Sequence, residues 1–179
     1  EQKAALCLNV IKENVEKEGL QLLAIRDVPV NSDILGAISA SNEPLIKQIF
    51  ITGATGQQAL ESKLYVVRKK IEHAILKSNL AKDRSFYMVS LSTRQMVYKG
   101  MLTSLQLRAY FPDLSNPHFT SGIALVHSRF STNTFPTWDL AQPFRLLGHN
   151  GEINTIRGNR LWMESRESVL KSDQLGDLK

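Results

Sequence analysis

Only one cysteine, Cys7, occurs in the 179 residues. That excludes an intrachain disulfide framework and fits a reducing compartment, here the cytoplasm. No apolar run approaches the roughly 18–20 residues of a membrane span, and no charged region leads into an apolar core as in a signal peptide. The aromatic residues, 7% of the chain, are not interleaved with basic ones as a stacking platform for single strands requires. The formal charge is +5, yet the 22 basic residues are dispersed. Their one run, Arg68-Lys69-Lys70, lies in a helical pattern and reads as a solvated face. Neither a membrane nor nucleic acid is therefore an expected partner. The four histidines, His73, His118, His127 and His149, are widely spaced and form no H-x-x-x-H pattern, and no cysteine pair exists, so no metal site is expected. Gly53-Ala54-Thr55-Gly56 lacks the Lys-Ser/Thr ending of a phosphate-binding loop and reads as a turn.

What is present suits a single domain with a substantial core: 42% hydrophobic and 22% charged residues, without repeats or low-complexity tracts. Ala4, Leu8, Ile11 and Val15 mark one face of a helix over 2–18, stopped by Gly19. Cys7 lies inside that pattern and reads as a small buried hydrophobe, since no histidine neighbours it in sequence to activate a thiol. Strands are expected over Leu20–Ile25 and Leu45–Thr52, with an irregular connection from Asn31 to Pro44. Leu64, Val67, Ile71 and Ala74/Ile75 predict a helix over 60–80. Phe86–Leu91 and Gln95–Lys99 flank Ser92-Thr93-Arg94 as an antiparallel hairpin, and 101–110 reads as a short helix before a loop from Phe111 to Pro117. With no βαβ alternation, the class is α+β.

The chemistry concentrates between Ser121 and Glu164. The apolar run Ile123–Val126 predicts a short buried strand that delivers His127, Ser128 and Arg129 to its end. A second run, Phe144 to Gly148, ends in His149-Asn150-Gly151, with a helix expected from Glu152 to about Leu170. Arg129 offers a planar fork for bidentate capture of a carboxylate. Asn150 carries an amide donor and Gly151 an unshielded N–H, which together meet the needs of an oxyanion hole beside a helix start. From spacing alone the plainer alternatives stay open: Asn-Gly as a turn and Arg129 as a surface ion-pair partner.

HSRFSTNTFPTW followed by HNGEINTIRGNRLWM closely resembles the glutaminase domain of the glutamate synthase large subunit, within the class II, N-terminal-nucleophile amidotransferases. LQLLAIRDVPV and QIFITG add to the likeness, which covers most of the chain. The resemblance implies an αββα sandwich of antiparallel sheets flanked by helices. It implies that Arg129 holds the α-carboxylate of L-glutamine, that Phe130 and Thr132 line its pocket, and that Asn150 and Gly151 form the oxyanion hole. The activity implied is glutamine hydrolysis through a γ-glutamyl thioester, with ammonia passed to synthase domains of the same parent chain for transfer to 2-oxoglutarate. An electron-donor subunit or ferredoxin would serve the parent. FMN and an iron–sulfur cluster would belong to other domains, with no cofactor in residues 1–179.

The family's nucleophile is an N-terminal cysteine whose α-amino group is its base, whereas position 1 here is Glu1. An acidic residue expected to hold the substrate α-ammonium is not found before Lys179. On this reading residues 1–179 are an internal part of one glutaminase domain, truncated at both ends and inactive alone. The rival is a non-catalytic glutamine-binding or interaction module that kept the pocket without a nucleophile. The residues preceding Glu1 in the parent chain discriminate the two.

Overall fold

The computed structural model describes residues 2–78, 80, 85–130, 135–144, 147–149 and 155–173. Helix α1 spans Gln2–Lys17 and buries Cys7, Ile11, Asn14 and Val15. The buried face is thus rotated toward Cys7 from the expected Ala4 and Leu8, with Leu8 packed at its edge. Gly19 ends the helix at φ 68, in the left-handed region that glycine enters without Cβ cost. Gly19 N–H donates to Glu16 O (2.9 Å) and Leu20 N–H to Val15 O (3.1 Å), the paired bonds of a Schellman ending.

Strand β1, Gln21–Asp27, pairs antiparallel with β2, Lys47–Thr52, from Gln21↔Thr52 to Asp27↔Lys47, with a bulge between Leu22 and Ala24. The intervening residues are more regular than expected. They hold a 3-10 turn over Ser32–Ile34 and helix α2 over Ala37–Ser41. Helix α3, Gln57–Lys77, buries Leu64, Val67, Ile71 and Ile75, as its periodicity predicts, together with Val66. It packs along α1, and the two helices with Leu20 form the first core, against which Leu22, Ile49 and Ile51 of the strands are packed.

The expected hairpin over 86–99 does not form among the described residues. Side chains of α3 take the hydrogen-bonding part that a paired strand would have played. Arg68 donates to Met88 O (2.8 Å), and Glu61 accepts from Ser92 Oγ (2.6 Å) and Thr93 N–H (2.8 Å). Helix α4, Ser104–Tyr110, is closed at its start by a capping box of Thr103 and Gln106. It is followed by a 3-10 turn, Pro112–Ser115.

A second core gathers Tyr110, Phe111 and Trp138. Tyr110 and Phe111 meet edge to face at 4.7 Å, and the Tyr110 and Trp138 rings lie 5.4 Å apart. Tyr110 Oη donates to Glu43 Oε1 (2.5 Å), and Trp138 Nε1–H donates to Ser39 O (3.1 Å), so both polar tips are satisfied and α2 is tied to this core. Tyr98 Oη and Arg26 both reach Asp113, joining β1 to the turn after α4.

Ile123–Val126 is not a strand, and Ile123 is 87% exposed. The run has the composition of a buried strand, but a strand exists only where a neighbour completes its ladder, and none does among the described residues. Helix α5, Ile156–Glu167, buries none of its residues. It is preceded by Thr155 in a non-helical conformation (φ −114, ψ 38), and the expected start at Glu152 lies outside the described residues. Residues 152–154, the predicted turn at 131–134 and most of the tail after Lys171 lie outside the described residues. The fold is α+β.

The first core predicts an asymmetry along α3. Ile71→Ala should destabilise the domain by about 2–5 kcal/mol, the range for emptying a packed site. Leu76→Ala, at a position 63% exposed, should cost less than about 1 kcal/mol. Denaturant midpoints of the two variants give the comparison; equal losses would contradict the assigned core.

Candidate functional site

Three contacts deliver residues 138–149 to the site. Trp138, seated in the second core, fixes the beginning of the segment. Next comes Lys99, which is 9% exposed and donates from Nζ to both Asp139 O and Ala141 O, each at 2.8 Å. Its ammonium also lies over the Phe144 ring (4.7 Å to the centroid) and within 5.7 Å of the Tyr87 centroid. A cleft of about 160 Å³ opens here between Lys99, Asp139, Arg68 and Glu72. Burial lowers the Lys99 ammonium to about 8, Asp139 opposing the shift and Arg68 adding to it. Burial likewise pushes the Tyr87 phenol up to about 12, with Asp139 adding to the effect.

Beyond the cis bond at Gln142–Pro143, Phe144 and Leu147 exchange two backbone hydrogen bonds (2.7 and 2.9 Å). Among the described residues this isolated bridge is what stands in place of the second predicted strand. Gln142 then bonds His149 through its side-chain amide. Opposite lies the other motif. Arg129 N–H donates to His127 Nδ1 (3.3 Å), so His127 carries its proton on Nε2 when neutral. That Nε2 is buried without a hydrogen-bond partner. The His127 ring lies against Gly148, where an added Cβ would sit 3.0 Å from Cδ2 and 3.4 Å from Cγ. A side chain at position 148 would require the ring to give by a few tenths of an ångström, and the close approach brings the His-Ser-Arg segment onto the residues that precede Asn150.

Neither motif hangs from a strand end, as the sequence predicted. The two meet as loops, each held by side chains. Arg129 is exposed and pairs with no carboxylate among the described residues. Phe130, half-buried, lines a hollow with Gly100, Leu102 and Gln142. The hollow is about 20 Å³, room for about one water. Thr132, Asn150 and Gly151 lie outside the described residues. The helix start expected beside Asn150 and Gly151 likewise lies outside the described residues. Cys7 lies in the first core, where burial raises its thiol above the usual value against the opposing effect of Lys3. A thiol so desolvated is a poor nucleophile.

Sequence reasoning missed Trp138, Lys99 and Gln142. A tryptophan inside a polar loop is a burial signal that could have marked Trp138. Nothing in the pattern around Lys99 or Gln142 separates them from surface residues.

The whole chain, residues 1–179, matches the family model of class II glutamine amidotransferases. It is 48% identical over 170 residues to the NADH glutamate synthase of Schizosaccharomyces pombe, covering 90% of this chain and 8% of that protein. Against the ferredoxin-dependent glutamate synthase 2 of Synechocystis it is 49% identical over 164 residues, with 90% and 10% covered. Against the NADPH glutamate synthase large chain of Bacillus subtilis it is 45% identical over 166 residues, with 91% and 11% covered. The chain thus spans about a tenth of the length of these curated relatives.

The buried Lys99 imposes a pH dependence. Its folded value of about 8 lies below the ordinary 10.5, so between these limits the unfolded chain binds more protons and stability rises with pH. Unfolding free energy measured from pH 8 to 10.5 should climb more steeply for the natural protein than for Lys99→Met. Parallel curves would mean that Lys99 is not desolvated in the folded state.

Proposed function

The chain belongs to the class II glutamine amidotransferases, and on that premise we propose that it forms part of the glutaminase domain of a glutamate synthase. The reading is that L-glutamine is bound, its side-chain amide is cleaved, and the ammonia released is passed on to 2-oxoglutarate elsewhere in the parent protein. The relatives divide among NADH, NADPH and ferredoxin as the donor in their names. The parent's reductant is therefore one of these three, with ferredoxin or a donor subunit as its partner. An αββα sandwich is the architecture proposed for the complete domain.

One observation carries the reading: the His127 ring against Gly148, which joins the segment bearing Arg129 to the segment leading into Asn150 and Gly151. A glutaminase needs these two segments close together. One must hold the α-carboxylate, and the other must meet the charge that develops at the far end of the same substrate. Arg129 would form the bidentate pair with the α-carboxylate, and Phe130 and Thr132 would line the pocket around the methylene groups. A thiolate, its proton taken by the cysteine's own α-amino group, attacks the amide carbon: the sulfur pair forms the C–S bond and the C=O π pair moves to oxygen. The Asn150 amide and Gly151 N–H would stabilise that oxyanion. Collapse of the oxyanion, with the base's proton passed to the amide nitrogen, breaks the C–N bond, expels ammonia and leaves a γ-glutamyl thioester. Water then attacks the thioester through a second oxyanion, whose collapse releases the thiol and gives glutamate. In this family the thiol belongs to an N-terminal cysteine. Cys7, buried in α1, is not its equivalent. An iron–sulfur cluster needs a set of cysteine ligands, and with one cysteine these residues do not fit it. It and the flavin are assigned to other domains.

Two variants of the full-length protein test the assignment. Arg129→Lys replaces a fork by a point charge and should raise the KM for glutamine on the order of ten- to a hundredfold, the loss of a charge-assisted bond. Glutamate formation supported by free ammonia should be nearly unchanged. Equal damage to both activities would make Arg129 structural. Asn150→Ala should lower kcat for glutamine hydrolysis by roughly 10²–10³, as removal of one oxyanion donor does, with little change in Tm. Turnover left intact would remove Asn150 from the reaction, and with it the proposed hole.

A further inference from the structure

Gln142 meets the backbone of His149 twice. Its Nε2–H donates to His149 O (3.0 Å), and its Oε1 accepts from His149 N–H (2.8 Å). A residue on an adjacent antiparallel strand exchanges the same two bonds with its opposite number. Here a single side chain supplies both from within the loop. Oε1 also lies 3.5 Å from where a Cβ on Gly148 would sit, so the amide and the His127 ring bracket the same glycine. Behind the amide, Ala141 is held by Lys99 through its carbonyl. The anchor therefore follows directly on a residue that the buried Lys99 holds.

These bonds lie at the surface, where water competes for both partners and the net gain in stability is small. Their worth is geometric. They hold the two backbone polar groups of the residue directly before Asn150. We propose that Gln142 is a positioning residue for the acyl-transfer step, setting the direction in which the chain enters the oxyanion-stabilising Asn150–Gly151 pair. This rests on the glutaminase reading above. Transition-state donors are sensitive to placement at the scale of an ångström, whereas Arg129 on the other segment shares no hydrogen bond with Gln142 among the described residues.

The test uses the full-length protein and Gln142→Met, which keeps the length of the side chain and removes both hydrogen bonds. Two inhibitors separate the steps. Glutamate γ-semialdehyde accepts the thiolate at its aldehyde carbon: a C–S bond forms, the C=O π pair moves to oxygen, and a tetrahedral adduct with an oxyanion results. L-Norvaline has the α-carboxylate and side-chain carbons of glutamine but no carbonyl at the reacting end. For Gln142→Met the inhibition constant of the semialdehyde should rise at least about tenfold, with kcat falling in parallel. That of norvaline should stay within about twofold. An inhibition constant does not depend on the fraction of protein that folds, so partial unfolding cannot imitate this split. Unchanged constants for both inhibitors, or an equal rise in both, would overturn the role of Gln142. Failure of the unsubstituted protein to release ammonia from glutamine would overturn the functional reading itself, and this inference with it.

Discussion

The Lys99 ammonium lies between two backbone carbonyls and two aromatic faces, and the order of the site-bearing half of the molecule depends on it. The described residues of 138–149 have no sheet among the described residues around them, yet their peptide groups must still be paired. A ladder would pair them residue by residue. Here the pairing is done by side chains reaching from elsewhere: Lys99 to Asp139 and Ala141, then Gln142 to His149. The same solution recurs over 88–93, where Arg68 and Glu61 of α3 take up backbone and hydroxyl groups. A lysine suits the central position because three donors on one nitrogen can serve two carbonyls at once, at the expense of desolvating a charge.

Two cores divide the labour. The first, between α1, α3 and the inner face of the two strands, is aliphatic and makes no contact with the proposed chemistry. The second is aromatic, and three of its rings have their polar tips paired: Tyr110 with Glu43, Trp138 with Ser39, Tyr98 with Asp113. Edge-to-face packing and satisfied hydroxyls orient these rings more closely than aliphatic contacts would. Trp138 inherits that order and passes it to the segment on which Gln142 and His149 stand. From core to site, each link is a specific directional contact.

The helix-forming parts were legible in the sequence because an amphipathic stripe is a local property. Leu64, Val67, Ile71 and Ile75 state the buried face of α3 with no reference to what covers it. For α1 the stripe runs through Ile11 and Val15 as read and takes in Cys7, expected as a small buried hydrophobe, while Ala4 and Leu8 are only partly buried. The strands divided differently. Gln21–Asp27 and Lys47–Thr52 pair with each other and were found. Ile123–Val126 and 86–99 have the same composition but no ladder partner among the described residues, and composition cannot supply one. The motif residues at Arg129 and Phe130 were legible through their resemblance to a family. Their surroundings were not, because Lys99 and Gln142 act through space on residues 40 and 7 positions away or more.

By itself, then, the sequence determined the chemistry on offer. It placed a guanidinium fork in one short segment and an amide beside a glycine in another, with helices whose buried faces were written in their periodicity. It also determined the family, since the match runs over residues 1–179. Only the tertiary structure decided how the two segments meet. That meeting depends on a ring stacked against Gly148, on a lysine whose charge is buried, and on a glutamine that stands in for a strand. The physical reason is range. Periodicity and motif spacing report on neighbours along the chain, whereas satisfaction of an unladdered backbone is settled by whichever distant side chain reaches it.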